Sequence, residues 1–402
     1  MPGQTIFIAQ FNTALRETFG LSHGAFGGLY TLGTLASAFC LVFAGVLADR
    51  VGARKLTIIT LAGLAAVALF MSSLTNVVLL AVAFAGLRFF GQGMLSHVTM
   101  TTMSRWFNRF RGRALSFAGL GFTSGEAILP FTITLAIASF GWREVWVGTA
   151  IALIVIAAPL VYFLFRDPPD GKRAIARGAV NPDATPAAGL TGKQWTRSKV
   201  LRDPLFYFVM AGAISPAAIG TLFIFHQANL ATIKGWDLTV FTAFFPVMSL
   251  AVVTASVTAG FLVDRFGAWQ LMPAILIPLG LASLVVATLS PVWAIPIMFL
   301  LFGLTTGTMA PVLGALWAEI YGTAHLGAVR SLATATMVSA SALGPGLAGL
   351  LIDLGIELDM QGFVYALYCF FGATVFFLLR PRFHRRVAEM SPEALHDAPA
   401  ET

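Results

Sequence analysis

Arg88 and Glu126 stand where an unpaired charge is costly. Each falls near the middle of one of two consecutive apolar stretches of the 402-residue chain, and each stretch is long enough to cross a bilayer as a helix. Ionisable groups at such depth are expensive and mark sites of function. A guanidinium there can grip a carboxylate through two parallel hydrogen bonds. A desolvated glutamate holds its proton more tightly and can carry one. The two can also pair with each other, either as working groups or as a static ion pair that fixes helix packing. Gln92, His97, His226, Gln227 and Asn229 add polar positions in the same kind of stretch, and Gln10 and Asn12 do so near the N-terminus. His226 reads in two ways, as a titrating or anion-binding group or as one end of a helix-to-helix hydrogen bond.

The elements that must position these residues follow from composition. Hydrophobic residues make up 57% of the chain and charged residues 11%, against about a quarter charged in soluble domains. Apolar runs lie near 4–16, 24–48, 56–75, 78–103, 113–138, 142–165, 204–232, 239–263, 270–289, 291–317, 326–353 and 361–380. These are the spans of an all-α integral membrane protein with twelve transmembrane helices in two pseudo-symmetric six-helix halves. With the N-terminus in the cytoplasm, only Arg16, Arg143 and Lys234 among the 25 Lys and Arg face outside, and only Arg88 lies near the middle of a span. The positive-inside rule therefore places both termini in the cytoplasm. The net charge of +7 is accounted for by this topology, so a nucleic-acid partner is not expected. Cys40 and Cys369 both lie in apolar stretches, which leaves no material for a disulfide framework or a cysteine metal site.

Residues 167–202 are rich in Pro, Gly, Ala and charge and read as a cytoplasmic linker. They separate an N-terminal half, 1–166, from a C-terminal half, 203–380, and 381–402 reads as a loosely ordered cytoplasmic tail with too little apolar surface to pack. An internal repeat supports the division. Gly45, Asp49, Arg50 and Gly52 recur as Gly260, Asp264, Arg265 and Gly267 at an offset of 215, which also carries Gly20 to Gly235, Phe26 to Phe241, Gly112 to Gly327 and Pro130 to Pro345. Parallel repeats of this kind suit a carrier whose halves rock about a central site. The same offset leaves the front of span 7 without a counterpart before Met1. The first helix is therefore expected to be truncated, with a true start 10 to 20 residues upstream.

The run GVLADRVGARKL, Gly45 to Leu56, and its echo GFLVDRFGAW, Gly260 to Trp269, resemble the paired loop signatures of the major facilitator superfamily. The resemblance covers essentially the whole chain. It implies a transporter, not an enzyme, in which Asp49, Arg50, Gly52, Arg54 and Lys55, echoed by Asp264 and Arg265, form a cytoplasmic gate latch. A carboxylate beside a helix N-terminus is favoured by free amides and the helix dipole, which suits Asp49 to that role. Arg50, Arg54 and Lys55 also satisfy the topology rule without any gating. RETFGLSHGAFGGLY, RWFNRFRGRALSFAGLGFTSGEAILP and the following GWRE are similar to bacterial members of the monocarboxylate and oxalate-formate group. RFFGQG at Arg88 to Gly93 resembles the family's basic span-4 motif with its glutamine one place late.

These readings lead to an expected secondary active transporter, a monomer in the bacterial inner membrane, moving a small organic anion with proton coupling or by exchange. No cofactor or metal is expected, since no span carries ligands at metal spacing. Efflux of an apolar or cationic compound, with Glu126 as the attractive group, is the alternative within the class. Neither linker nor tail is large enough for the partner-binding domain that a transport-inactive sensor or scaffold would need. Gly119, Gly121, Gly125 and Pro130 in span 5, and Gly344, Pro345, Gly346 and Gly349 in span 11, are expected to let helices approach closely.

Overall fold

The computed structural model describes residues 1–44, 51–106, 111–164, 195–322 and 325–390, without the side chains of residues 42, 103–106 and 111–118. Among the described residues every regular element is helical. The first part of the chain carries α1 (Thr5–Ile8), α2 (Asn12–Phe19), α3 (His23–Ala44), α4 (Ala53–Ser72), α5 (Val77–Leu87), α6 (Leu95–Trp106), α7 (Arg111–Phe140), α8 (Trp142–Ala152) and α9 (Ala158–Leu164). After the short α10 (Arg197–Val200) come α11 (Pro204–Phe225), α12 (Gln227–Lys234), α13 (Leu238–Ala243), α14 (Phe245–Phe266), α15 (Ala268–Thr288), α16 (Ala294–Tyr321), α17 (Leu326–Asp353), α18 (Leu358–Leu378) and α19 (Arg380–Met390).

Eleven of these continuous helical stretches are long and apolar enough to cross a membrane, and they fall on the second to twelfth spans expected from hydropathy. The first, 4–16, takes the form of α1, a 3-10 turn Ala9–Phe11 and α2, so the twelve-helix architecture includes one broken helix at its start. The seventh span is broken as well: α11 ends at Phe225 and α12 restarts at Gln227.

The two breaks are the repeat made visible. Phe11, which precedes α2, has φ −92° and ψ 0°, and His226, which precedes α12, has φ −97° and ψ 22°. Both short helices then stop at a left-handed glycine, Gly20 at φ 62° and Gly235 at φ 68°, a conformation in which a Cβ would clash with the carbonyl. The next helices begin on matched caps. Ser22 Oγ accepts from the Ala25 amide at 3.1 Å, and Asp237 Oδ1 from the Val240 amide at 3.0 Å, the polar side chain satisfying a donor that the helix leaves free. Phe11 and His226, Gly20 and Gly235, Ser22 and Asp237 are all 215 residues apart.

The chain forms two compact units. The first joins the described residues through 164 to Thr221–Ser249 and Ala342–Leu358; the second holds the described residues 195–220, Leu250–Ser341 and 359–390. In the first, Phe11 stacks on Trp146 at 4.6 Å and Phe7 meets the same indole edge-on at 5.4 Å. Span 11 packs closely there, as expected. Thr31 Oγ1 donates to the Ala342 carbonyl at 2.6 Å, a Cβ on Gly346 would lie 3.0 Å from Thr31 Oγ1, and one on Gly349 would collide with the His23 carbonyl. Span 5 does not use its glycines this way, since Gly119 and Gly121 face open space.

In the second unit, α15 packs along α16. The Glu319 carboxylate caps the start of α15, accepting from the Ala268 amide at 2.8 Å and the Trp269 amide at 3.2 Å.

The tail departs from expectation. Residues 380–390 form a helix, α19, in which Phe383 and Met390 are buried at a spacing of two turns while Arg382 and Arg385 stay exposed. Two apolar anchors on one face suffice to dock it, a pattern masked by the low average hydrophobicity of the segment. The end of the linker is also placed: Val200 of α10 is fully buried and the Trp195 amide donates to the Tyr321 carbonyl at 3.1 Å.

Candidate functional site

Arg88 opens a π-helical stretch, Arg88–Met94, inserted between α5 and α6. Such widened turns re-aim side chains and are frequent at functional sites. Close approach also shapes this stretch, since a Cβ on Gly91 would collide with the Pro2 carbonyl and one on Gly3, at φ 95°, with that of Leu87. Arg88 is 3% exposed. Its Nη1 donates to the Gly3 carbonyl and to Thr5 Oγ1, each at 3.3 Å, and its guanidinium carbon lies 5.2 Å from the centre of the Tyr30 ring. Thr5 Oγ1 and the Tyr30 hydroxyl are bonded at 2.6 Å. Arg88 Nε is buried without an acceptor, and so, one turn on, is Gln92 Oε1 without a donor.

The Arg88–Glu126 ion pair considered from sequence is not formed. Glu126 is half-buried on α7, whereas both hydrogen bonds of Arg88 go to the segment before α2. The physical reason is local. Gly3 and Thr5 offer two neutral acceptors within reach of the guanidinium, and among the described residues no carboxylate is bonded to it.

From Tyr30 the contacts run onward through aromatic rings. Tyr30 lies 4.6 Å and Phe26 5.3 Å from Phe225, the last residue of α11. The carbonyl of Phe225 accepts from Asn12 Nδ2 at 2.9 Å. Gln10 is fully engaged nearby, donating to the Ile6 carbonyl at 2.8 Å and accepting from Thr134 Oγ1 at 2.9 Å.

Beyond Phe225, His226 Nε2 bonds the Pro345 carbonyl at 2.8 Å, the helix-to-helix bond that was one of its two readings. Its ring lies 5.7 Å from that of His23, and Nδ1 of both histidines is buried without a partner. Asp353 closes this end of the unit, its two carboxylate oxygens accepting from the His23 amide at 3.0 Å and the Gly24 amide at 2.8 Å. Asp353 thus caps α3, a role no local pattern announced. Gln227 is fully buried with neither amide atom partnered. Asn229 Nδ2 reaches Glu357 Oε2 at 3.4 Å, and its Oδ1 is buried and unpaired. His97 is half-buried on α6.

Of the expected gating residues, Asp49 and Arg50 lie outside the described residues. Gly52 precedes α4 and caps it without a side chain, and Arg54 sits with its guanidinium carbon 3.9 Å from the centre of the Tyr162 ring. In the second copy Asp264 and Arg265 are exposed, with Arg265 over Phe266 at 5.2 Å. There the carboxylate at the following helix N-terminus comes from Glu319, not from Asp264.

A twelve-helix bundle with repeated halves, broken first and seventh helices and buried polar groups at the breaks defines a membrane transporter. The chain belongs to the Major Facilitator Superfamily, whose model matches residues 2–301 and 222–399. It is 24% identical over 392 residues to the oxalate:formate antiporter of Oxalobacter formigenes, covering 94% of this chain and 88% of that protein. Solved structures share its fold. A bacterial homologue of the human lysosomal transporter Spinster, inward-facing and occupied, matches at 16% identity with a TM-score of 0.69, over 95% of this chain and 94% of that one. The nucleoside transporter NupG matches at 14% identity with a TM-score of 0.69, over 93% and 95%.

Proposed function

We propose that this transporter exchanges small carboxylates, with Arg88 as the group that receives the carboxylate. The observation that carries the reading is a buried guanidinium held by two neutral oxygens, with Nε unpaired and, among the described residues, no carboxylate bonded to it. A buried charge lacking a counter-ion is strongly unfavourable. A bound carboxylate would both neutralise it and fill its open donor. The antiporter named for oxalate and formate supports the same class of substrate.

In this reading Gln92, whose Oε1 is unpaired one turn away, and Gln227, with both amide atoms unpaired, serve the substrate's polar atoms. His97, His226 and Asn229 complete the polar surroundings. Glu126 carries a proton where flux is proton-coupled. The six-helix halves 1–166 and 203–380 alternate access, with Asp49, Arg50, Gly52, Arg54, Asp264 and Arg265 at the gate. The protein works as a monomer in the inner membrane with both termini in the cytoplasm, an orientation that the distribution of Lys and Arg supports.

The test is counterflow into proteoliposomes loaded with oxalate or formate, with a pH-sensitive dye inside. Carboxylate-dependent uptake that disappears in Arg88→Gln supports the assignment, and a dye response that disappears in Glu126→Gln assigns the proton to Glu126. Uptake confined to cationic or neutral compounds would overturn the carboxylate reading in favour of efflux.

A further inference from the structure

The helix at the end of the described chain builds a second basic site, in the second unit. α19 starts two residues after α18 ends, which sets it at the depth where hydrocarbon gives way to headgroups. It is pinned there by one ion pair. Arg386 Nη1 lies 2.7 Å from Asp203 Oδ2, which also accepts from the Tyr321 hydroxyl at 3.1 Å, and the guanidinium carbon lies 4.2 Å from the centre of the Trp195 ring. Asp203 Oδ1 takes the Leu205 amide at 3.1 Å, so this carboxylate is fully engaged within the protein.

Arg382 and Arg385 are differently placed. Both are exposed, neither is ion-paired to a described residue, and both line a cavity of about 330 Å³ whose remaining described walls are Asp203, Pro204, Leu205, Arg386 and Glu389. That volume is at the small end of ligand pockets, which run from about 300 to 1,000 Å³. Three guanidinium groups face two carboxylates, leaving one net positive charge. This balance matches a singly charged phosphodiester better than a dianion. Guanidinium forks bind phosphate oxygens in pairs, while Pro204 and Leu205 offer apolar wall to a glycerol and the start of its acyl chains. Basic residues just outside a span attract anionic lipid in the same way.

We propose that Arg382 and Arg385 form a binding site for the phosphodiester headgroup of an anionic phospholipid, seated between α19 and the start of α11. The site is independent of the carboxylate reading.

The experiment is native mass spectrometry of the purified full chain titrated with phosphatidylglycerol or phosphatidylcholine, alongside thermal unfolding in nanodiscs of each lipid. The expected result is retention of phosphatidylglycerol over phosphatidylcholine, reduced at least tenfold in R382Q/R385Q, with unfolding in phosphatidylcholine unchanged to show that the variant folds. Arg380→Gln, which removes an exposed cation outside the cavity, should leave retention intact. Equal retention by wild type and the double variant would overturn the proposal. So would displacement of the lipid by millimolar inorganic phosphate or glycerol phosphate, which would assign the cavity to a free anion.

Discussion

The segments around α2 and α12 are copies of one another, and they differ in how they treat their polar groups. In the first copy Gln10 and Asn12 spend their side chains inside the protein, on Ile6, Thr134 and the Phe225 carbonyl. In the second, Gln227 occupies the place of Asn12 and is fully buried, yet neither of its amide atoms is bonded. Backbone is conserved between them to within a few tens of degrees, down to the left-handed glycine at the end. A repeat thus preserves what the chain path demands and releases the side chains: the first copy spends Gln10 and Asn12 on partners in the protein, whereas the second, beside its His226–Pro345 bond, leaves buried donors and acceptors open at Gln227. Arg88 adds to the asymmetry, because the position 215 residues later is Gly303, and only one half carries a charge at that place.

The comparison is broken most severely at Arg88. In Arg88→Lys the charge remains but the fork of donors is lost; carboxylate counterflow should fall at least about tenfold, the scale of one charge-assisted hydrogen bond. Full activity in that variant would mean that charge alone suffices. Asn12→Leu and Gln227→Met separate the two copies directly. The first strands the Phe225 carbonyl and should cost about 1–3 kcal/mol in unfolding free energy, whereas the second should leave stability unchanged while lowering uptake. Equal destabilisation by both would erase the distinction drawn here. His226→Phe removes the bond to the Pro345 carbonyl and should cost about 1 kcal/mol, read in the same denaturation assay. The smallest effect is the symmetric one. Gly20→Ala and Gly235→Ala each force a Cβ into a left-handed residue with open space around it, and both should cost about 1 kcal/mol; a marked difference between them would show that the copies are under unequal strain.

Much of this architecture was legible beforehand. Span lengths follow from the thickness of hydrocarbon, and the offset of 215 paired Gly20 with Gly235, but the helix breaks were not legible, since 4–16 and 204–232 read as continuous apolar runs and a local change of backbone angle leaves no trace in hydropathy. The pairing of Arg88 was not legible, since its acceptors are a backbone carbonyl and a threonine on a different helix, and a carbonyl leaves no trace in residue type. Asp353 and Glu319 were missed for a related reason. Each caps a helix remote in sequence, so neither sits at the spacing that a local cap would show. The helix 380–390 was masked by its arginines, which lower the average hydrophobicity of a segment held by Phe383 and Met390.

The bond from Asp353 to α3 has a consequence in time. It joins residues separated by 330 positions, and the acceptors of Thr31 and Asn12 also lie far downstream, at Ala342 and Phe225. At roughly 5–20 residues per second of synthesis, the amides at the head of α3 wait on the order of 15–65 s for the carboxylate that completes them. During that interval the first six helices are already in the membrane with polar positions unmet, so nascent chains arrested before residue 342 should be the form most exposed to membrane quality control.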